Sequence, residues 1–384
     1  MDKIQERRFG EGLKGRMRVL FIISDLSGGG AERAVSTYLH HLDRTHFEPG
    51  LCIWRAEYAY DIPDDVPIWV MEKHRPWHAP RAVLRMSRLI KRWQPDVVVS
   101  FLAYVNLLSG LAINLCPNPP LWMPTVRNYP LNKNARLGNW LWTRMHSRSW
   151  QAIGTISKGI SNVMCSDYGI PRNRIVNLYN PVDYSYIDAS VAQQPNESPH
   201  PAGAIPTVIT MGRLVEQKDQ ATLLRAIAIV KKSHDVRLVM LGEGPLRRRL
   251  ESLACELGIG DAVDFMGFVR DPFPQVVAAE LFVLSSRWEG FGKVLAEAMG
   301  CGTAVISTDC PYGPGEVIED GTSGLLVPVG DPAALAKAIK QLLDNPQMRE
   351  QLAAEGRSSS RARFNAEHCT RMLEEALYNM GSEK

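Results

Sequence analysis

Two segments of the 384-residue chain hold residues whose types and spacing suit chemistry on a phosphorylated ligand. In the first, Gly212-Arg213-Leu214 is followed after three residues by Lys218, just beyond the apolar run TVITM. A guanidinium and an ammonium five residues apart on a strand-to-helix connection can straddle a diphosphate. The Arg fork binds two oxygens and the Lys adds a point charge. In the second, Glu289 precedes Gly290-Phe291-Gly292, a helical pattern opens at Lys293, and Glu297 stands eight residues beyond Glu289. The tight turn and helix N-terminus offer backbone amides to an anion. The two carboxylates can accept hydrogen bonds from hydroxyls on either side of it. Glu297 lies among Leu295, Ala296, Ala298 and Met299, where a carboxylate needs a partner. A phosphate between two hydroxyl-rich rings is what a nucleotide sugar presents. A third stretch, Gly28-Gly29-Gly30, opens a helix but is not G-x-G-x-x-G, and no P-loop lysine follows. A tight turn explains it as well as an anion site does.

Such residues need strands that end in loops. RVLFIIS (18–24) reads as a buried parallel strand, followed by the glycine loop and a helix over 34–42, the opening unit of a doubly wound α/β domain. A helix over 80–93 stops at Pro95 before DVVVSF (96–101), and RIVNLYNPVD (174–183) is a strand ending in an Asn-Pro turn. Residues 189–206 are small, polar and proline-rich, the composition of a linker. Strands then restart at 207–214, 236–244, 263–269, 281–286 and 303–308, and Asp331-Pro332 opens a helical C-terminal region. The expected fold class is α/β, with two Rossmann-like doubly wound parallel-sheet domains. A polar tail (1–16) precedes an N-terminal domain (17–188), the linker, and a second domain (207–360). A C-terminal helix (361–384) is expected to pack back on the first.

Hydrophobic residues make up 45% and charged residues 22%, which excludes disordered and fibrous classes. A net charge of +3 is too small for a nucleic-acid footprint, so no nucleic-acid partner is expected. The seven cysteines form no C-x-x-C pair and read as reduced thiols, without a disulfide framework or structural zinc. No secretory signal is visible, and the apolar stretch 97–115 is broken by Ser100, Tyr104, Asn106, Ser109 and Asn114. The expectation is a cytoplasmic protein, able to sit peripherally on the inner face of a membrane.

The E-x7-E of Glu289 and Glu297, together with G-R-L-x-x-x-K, resembles the signature of retaining glycosyltransferase family 4 on a GT-B fold. VNLYNPVD (176–183), LGEGP (241–245), GFV (267–269) and DGTSGLLVPVGD (320–331) match it too, so the resemblance runs from about Met17 onward. It implies two domains facing a central cleft, with a nucleotide-sugar donor held by the second. Arg213, Lys218 and Glu289 would then be catalytic. The two cations would hold the diphosphate beside Gly212, and Glu289 the donor sugar. Glu297 would take the ribose, Gly242 and Glu243 would face the nucleotide, and Phe268 and Val269 would border the base. Gly290, Phe291 and Gly292 would line the donor site, and Gly28, Gly29 and Gly30 would face the phosphate from the first domain. Retention without an assigned protein nucleophile is implied, and no D-x-D motif suggests a metal. No cofactor is expected beyond the co-substrate, a UDP-linked hexose or N-acetylhexosamine. Where many members carry a histidine, this chain has Arg127-Asn128, which with Asn180 are candidates for sugar contact. DCPYGPGEVIEDG (309–321) resembles members that build surface polysaccharides and lipid-linked oligosaccharides.

Arg81, Arg85, Arg88 and Arg92 share one helical face, with Val83, Met86, Ile90 and Trp93 on another, a membrane-surface pattern. RLGNWLWTRMHSRSW (136–150) repeats the theme. An anionic membrane surface and a polyprenyl-diphosphate-linked saccharide or other glycan acceptor are the expected partners. An ordinary amphipathic helix packed on its sheet explains the same pattern. A nucleotide-sugar 2-epimerase and a non-catalytic nucleotide-sugar-binding subunit are the competing functions. The two motifs argue against the first, and the presence of Arg213, Lys218 and Glu289 argues against the second.

Overall fold

Short runs of branched and aliphatic residues, buried on both faces, become parallel strands because only helices packed on each side can cover them. The computed structural model describes residues 15–127, 150–193 and 205–382. The chain divides into one unit of residues 1–181 with 366–384 and another of Val182–Asn365. Each is considered by itself.

In the first unit the strands are β1 (Met17–Ile23), β2 (Phe47–Ile53), β3 (Ile68–Val70), β4 (Val97–Phe101), β5 (Leu121–Val126), β6 (Ile153–Thr155) and β7 (Ile175–Asn177). They form a parallel sheet in the order β3-β2-β1-β4-β5-β6-β7, with Val19 opposite Val97 at the centre. Helices α1 (Gly30–His41), α2 (Ala79–Trp93) and α3 (Ala103–Asn114) follow β1, β3 and β4. The C-terminal helix Ala366–Ser382 completes this unit. Its Leu373, Ala376, Leu377 and Met380 join Met17 and Phe47 in one core, and Asp43 donates its amide to Glu374 at 2.8 Å. Burial raises the Glu374 pKa.

In the second unit β8 (Thr207–Met211), β9 (Arg237–Leu241), β10 (Val263–Gly267), β11 (Leu281–Leu284), β12 (Ala304–Thr308) and β13 (Leu325–Val327) form a parallel sheet. Its order is β10-β9-β8-β11-β12-β13. Helices Gln220–Val230 and Pro332–Asp344 pack together over its core.

The boundaries differ from the composition-based ones. Residues 184–192 form a helix of the second unit, so 189–192 are not linker; 194–204 lie outside the described residues. Tyr184 holds that helix in place, its hydroxyl 2.5 Å from Ser360 Oγ and 3.3 Å from Ala296 O. Its ring packs so close to Gly300 that a Cβ there would lie 2.0 Å from Cε1. Asp188 takes both guanidinium nitrogens of Arg361 at 2.6 and 2.8 Å, keeping Arg361 with the second unit too.

Candidate active site

In a doubly wound sheet a ligand sits at the carboxyl ends of the two neighbouring strands whose connections leave in opposite directions. In the second unit these are β8 and β11, and their loops carry the residues singled out from sequence. Lys218 Nζ lies 2.5 Å from Glu289 Oε1, with the two side chains only 15% and 7% exposed. Ser286 Oγ donates to the same carboxylate oxygen at 2.7 Å. The Lys218 stem runs along Gly212, Cε standing 3.4 Å from where a Cβ would be. Arg213 is exposed, its carbonyl held by Gln220 Nε2 at 2.9 Å. It has no ion pair among the described residues. The arrangement offers a free guanidinium beside a carboxylate-backed ammonium, a pairing able to neutralise an arriving diphosphate.

The loop after β9 is set by backbone geometry. Gly242 has φ +138, and a Cβ there would stand 2.0 Å from Gly212 O. The amides of Gly212 and Gly242 donate to Leu241 O and Gly267 O at 2.9 and 2.7 Å, tying the three strand ends together. Glu243 is exposed and takes Arg247 Nη1 at 2.8 Å. Phe268, after β10, is 60% exposed, with Val269 half-buried next to it. A large bare ring at a strand end can stack on a planar base.

Gly292 caps the helix Lys293–Cys301 with φ +82. Gly290 and Gly292 are buried in the turn. The side chain of Phe291 does not line the site: its ring is 1% exposed and packs edge-on to Phe364 at 5.0 Å. Only its backbone is left for a ligand. Glu297 is buried, and Lys293 Nζ lies 3.6 Å from its Oε1 one helical turn back. Lys293 is a partner that the sequence reading left out. Cys310 lies near Glu289, and burial with that negative charge pushes its thiol up to about 12. It is therefore inert as a nucleophile.

In the first unit the corresponding neighbours are β1 and β4. Gly28 to Gly30 lie at the start of α1, with Gly29 its cap. The Glu32 carboxylate folds back over Gly29, where a Cβ would meet its Oε2 at 2.1 Å. Arg127 follows β5 directly, its guanidinium 4.8 Å from the Phe101 ring. Its Nε and Nη2 are buried and have no hydrogen-bond partner among the described residues. Burial lowers its pKa against the opposing influence of Tyr38. The buried Asn180 Oδ1 also has no partner among the described residues. Asn128 and residues 136–149 lie outside the described residues.

The apolar face of α2 is taken by the protein itself: Ala82, Val83, Met86, Leu89 and Ile90 are buried. Arg85 turns inward to Glu72 Oε2 at 2.6 Å and Met71 O at 3.0 Å. The arginine stripe is therefore reduced to Arg81, Arg88 and Arg92, with Lys91, Leu84 and Trp77 exposed alongside.

Sequence reasoning missed Asp219 and Arg287. Asp219 is buried with φ +43, opens the helix after Lys218, and holds Arg287 Nε at 3.0 Å. Arg287 sits on the other switch-point loop, so this pair clamps the two loops that carry Lys218 and Glu289. Nothing local marks a pair 68 residues apart.

Residues 195–359 match the family described as Glycosyl transferases group 1, and residues 28–186 match Glycosyltransferase Family 4. The chain is 31% identical over 288 residues to the lipopolysaccharide core biosynthesis glycosyltransferase LpsE of Rhizobium meliloti, covering 75% of this chain and 77% of that protein. A Campylobacter jejuni protein is 28% identical over 362 residues, covering 90% of this chain and 94% of its own length. It is named N-acetylgalactosamine-N,N'-diacetylbacillosaminyl-diphospho-undecaprenol 4-alpha-N-acetylgalactosaminyltransferase. In structure the chain is similar to Anabaena HepE, solved with UDP and glucose, at a TM-score of 0.80 and 18% identity, covering 95% of this chain and 100% of that one. With its paired parallel sheets and its E-x7-E and G-R-L-x-x-x-K loops, the chain belongs to glycosyltransferase family 4, of GT-B fold, and is a glycosyltransferase.

Proposed function

We propose that this glycosyltransferase is retaining and metal-independent, and moves a hexose or N-acetylhexosamine from a UDP-sugar to a hydroxyl of a lipid-linked or surface-polysaccharide saccharide. The observation that carries this reading is the Lys218–Glu289 pair at the β8/β11 switch point, with exposed Arg213 on the same loop. The bond from the anomeric carbon to the diphosphate breaks, its electron pair leaving with the diphosphate. The acceptor oxygen bonds to that carbon on the same face, and its proton passes to a diphosphate oxygen. Arg213 and Lys218 stabilise charge where it develops, supplying the positive charge that a metal ion supplies elsewhere. Glu289 takes hydroxyls of the donor sugar, Glu297 those of the ribose, and Phe268 with Val269 borders the base. In the first unit, Arg127 and Asn180 are assigned to saccharide, and the amides of Gly28 to Gly30 are suited to an anion. Support for the substrate class comes from the C. jejuni relative, whose name specifies a diphospho-undecaprenol-linked acceptor, and from the HepE complex with UDP.

The test is a thermal-shift screen against UDP, GDP, ADP and CMP and then their sugar conjugates, since a ligand of the folded state raises Tm by mass action. UDP and its sugars should give the shift; a response to GDP or ADP alone would replace the donor. A hydrogen bond to a charged group contributes about 1.5–3 kcal/mol. Glu297→Gln should therefore weaken UDP about tenfold, and an unchanged Kd removes it from the ribose.

Peripheral attachment is proposed through the solvent face of α2. Each Arg near an anionic surface adds about 1 kcal/mol. Arg88→Glu with Arg92→Glu should weaken co-sedimentation with phosphatidylglycerol vesicles at least tenfold and leave UDP binding alone. Unaltered co-sedimentation assigns the contact elsewhere. Among the described residues no helix is long and apolar enough to cross a membrane.

A further inference from the structure

Lys73, in the first unit, is a buried cation that takes no part in the proposed sugar transfer. It follows β3 and is only 8% exposed. Its amide donates to Trp54 O at 2.9 Å. Its ammonium stands 4.6 Å from the Trp54 ring centroid and 4.7 Å from that of Tyr104, two rings set edge to face. Among the described residues no carboxylate pairs with it. Asp25 is held by Ser27 and Arg55, Glu57 by Arg55, and Glu72 by Arg85. Burial and the charge of Arg55 both lower its pKa. The ring faces replace part of the hydration that an ammonium loses, yet they leave its charge uncancelled.

The cage lies among the loops at the carboxyl ends of the strands. Trp54 follows β2, Lys73 follows β3, Tyr104 follows β4, and Trp54 donates its amide to Ser24 O after β1 at 2.8 Å. The backbone entering it is held in disfavoured conformations, with Glu72 at φ +54 and Leu102 at φ +78, ψ 141. Non-glycine residues keep such angles where the surroundings enforce them, commonly at ligand sites. A planar carboxylate is best met by an Arg fork, and the nearby fork of Arg55 is already committed to Asp25. What stays free is a point charge, which suits an oxygen of a tetrahedral phosphate.

We infer that Lys73, caged by Trp54 and Tyr104, binds a phosphate group carried by the acceptor, so that the first unit selects acceptors by that phosphate. The inference rests on the reading that the second unit holds the donor. It is tested by calorimetric titration of inorganic pyrophosphate into the full-length wild type, Lys73→Met, and the Arg213→Ala/Lys218→Ala double variant. Lys73→Met should weaken about tenfold or more the site that the double variant keeps, with Tm as in wild type. In 15N-lysine-labelled wild type, pyrophosphate should raise the titration midpoint of the Lys73 ammonium, a readout that no mutation disturbs. Pyrophosphate binding unaltered in Lys73→Met, a midpoint that does not move, or a site that takes glucuronate and refuses pyrophosphate each overturns the proposal. Failure of the donor reading shows up differently, as a wild type that lacks the Arg213/Lys218-dependent site and answers no nucleotide.

Discussion

Lys218→Ala should lower kcat about 10²–10³-fold, the loss typical of removing one preorganised group from a developing charge, while the KM for donor changes less. The ion pair complicates a simple reading of that loss. Taking the ammonium away leaves Glu289 buried with Ser286 as its remaining donor among the described residues, and breaking one side of a buried pair costs roughly 3–5 kcal/mol. Lys218→Met with Glu289→Gln separates the two effects. The neutral pair should recover most of the Tm that the single variant loses and none of the turnover. If it recovers turnover as well, the pair is a structural clamp and the leaving-group role passes to Arg213 alone.

Gly242→Ala should be among the most damaging single-methyl additions in the second unit. The new Cβ has to clear Gly212 O, which stands 2.0 Å away, with a backbone at φ +138. A disfavoured backbone and an overlap with main chain together cost on the order of 3–5 kcal/mol. For a unit of this size, that is a fall in Tm of roughly 10 °C. Gly258→Ala is the control, because Gly258 also has positive φ but open space around it; it should cost about 1 kcal/mol. Equal losses would mean that the contact with Gly212 has no cost of its own. Because Gly212 lies beside the Lys218 stem, Gly242→Ala should also weaken UDP binding in whatever fraction stays folded.

Runs such as VVVSF and LFVL are legible because they are buried on both faces and carry no competing signal. β2 is absent from the strands read from sequence: FEPGLCI interrupts its apolar residues with Glu48, Pro49 and Gly50, yet it pairs with β1 along its whole length. The loops bearing Arg213, Lys218, Glu289 and Glu297 could be found because their spacing is local to one strand end each. Contacts assembled from several loops could not, and both the Asp219–Arg287 clamp and the cage of Lys73, Trp54 and Tyr104 are of that kind. Period alone also left α2 ambiguous. The 3.6-residue repeat shows that the helix has an apolar face but does not say whether protein or lipid covers it, and here the protein does. The helix at 184–192 was hidden by a composition of small and polar residues, and Tyr184 and Ile187 are its anchors.

The Val182 amide donates to Phe364 O at 2.8 Å, so the chain enters and leaves the second unit side by side. In gene terms the second unit is an insertion between residues 181 and 366 of the first. A ribosome therefore completes the whole second unit before it makes Leu373, Leu377 and Met380, which the first unit needs to cover Met17 and Phe47. The earliest-made half of the protein is the last to close. An N-terminal fragment ending near Pro181 would carry a sheet with an open apolar face and be prone to aggregate, whereas the segment Val182–Asn365 carries its core entirely within itself.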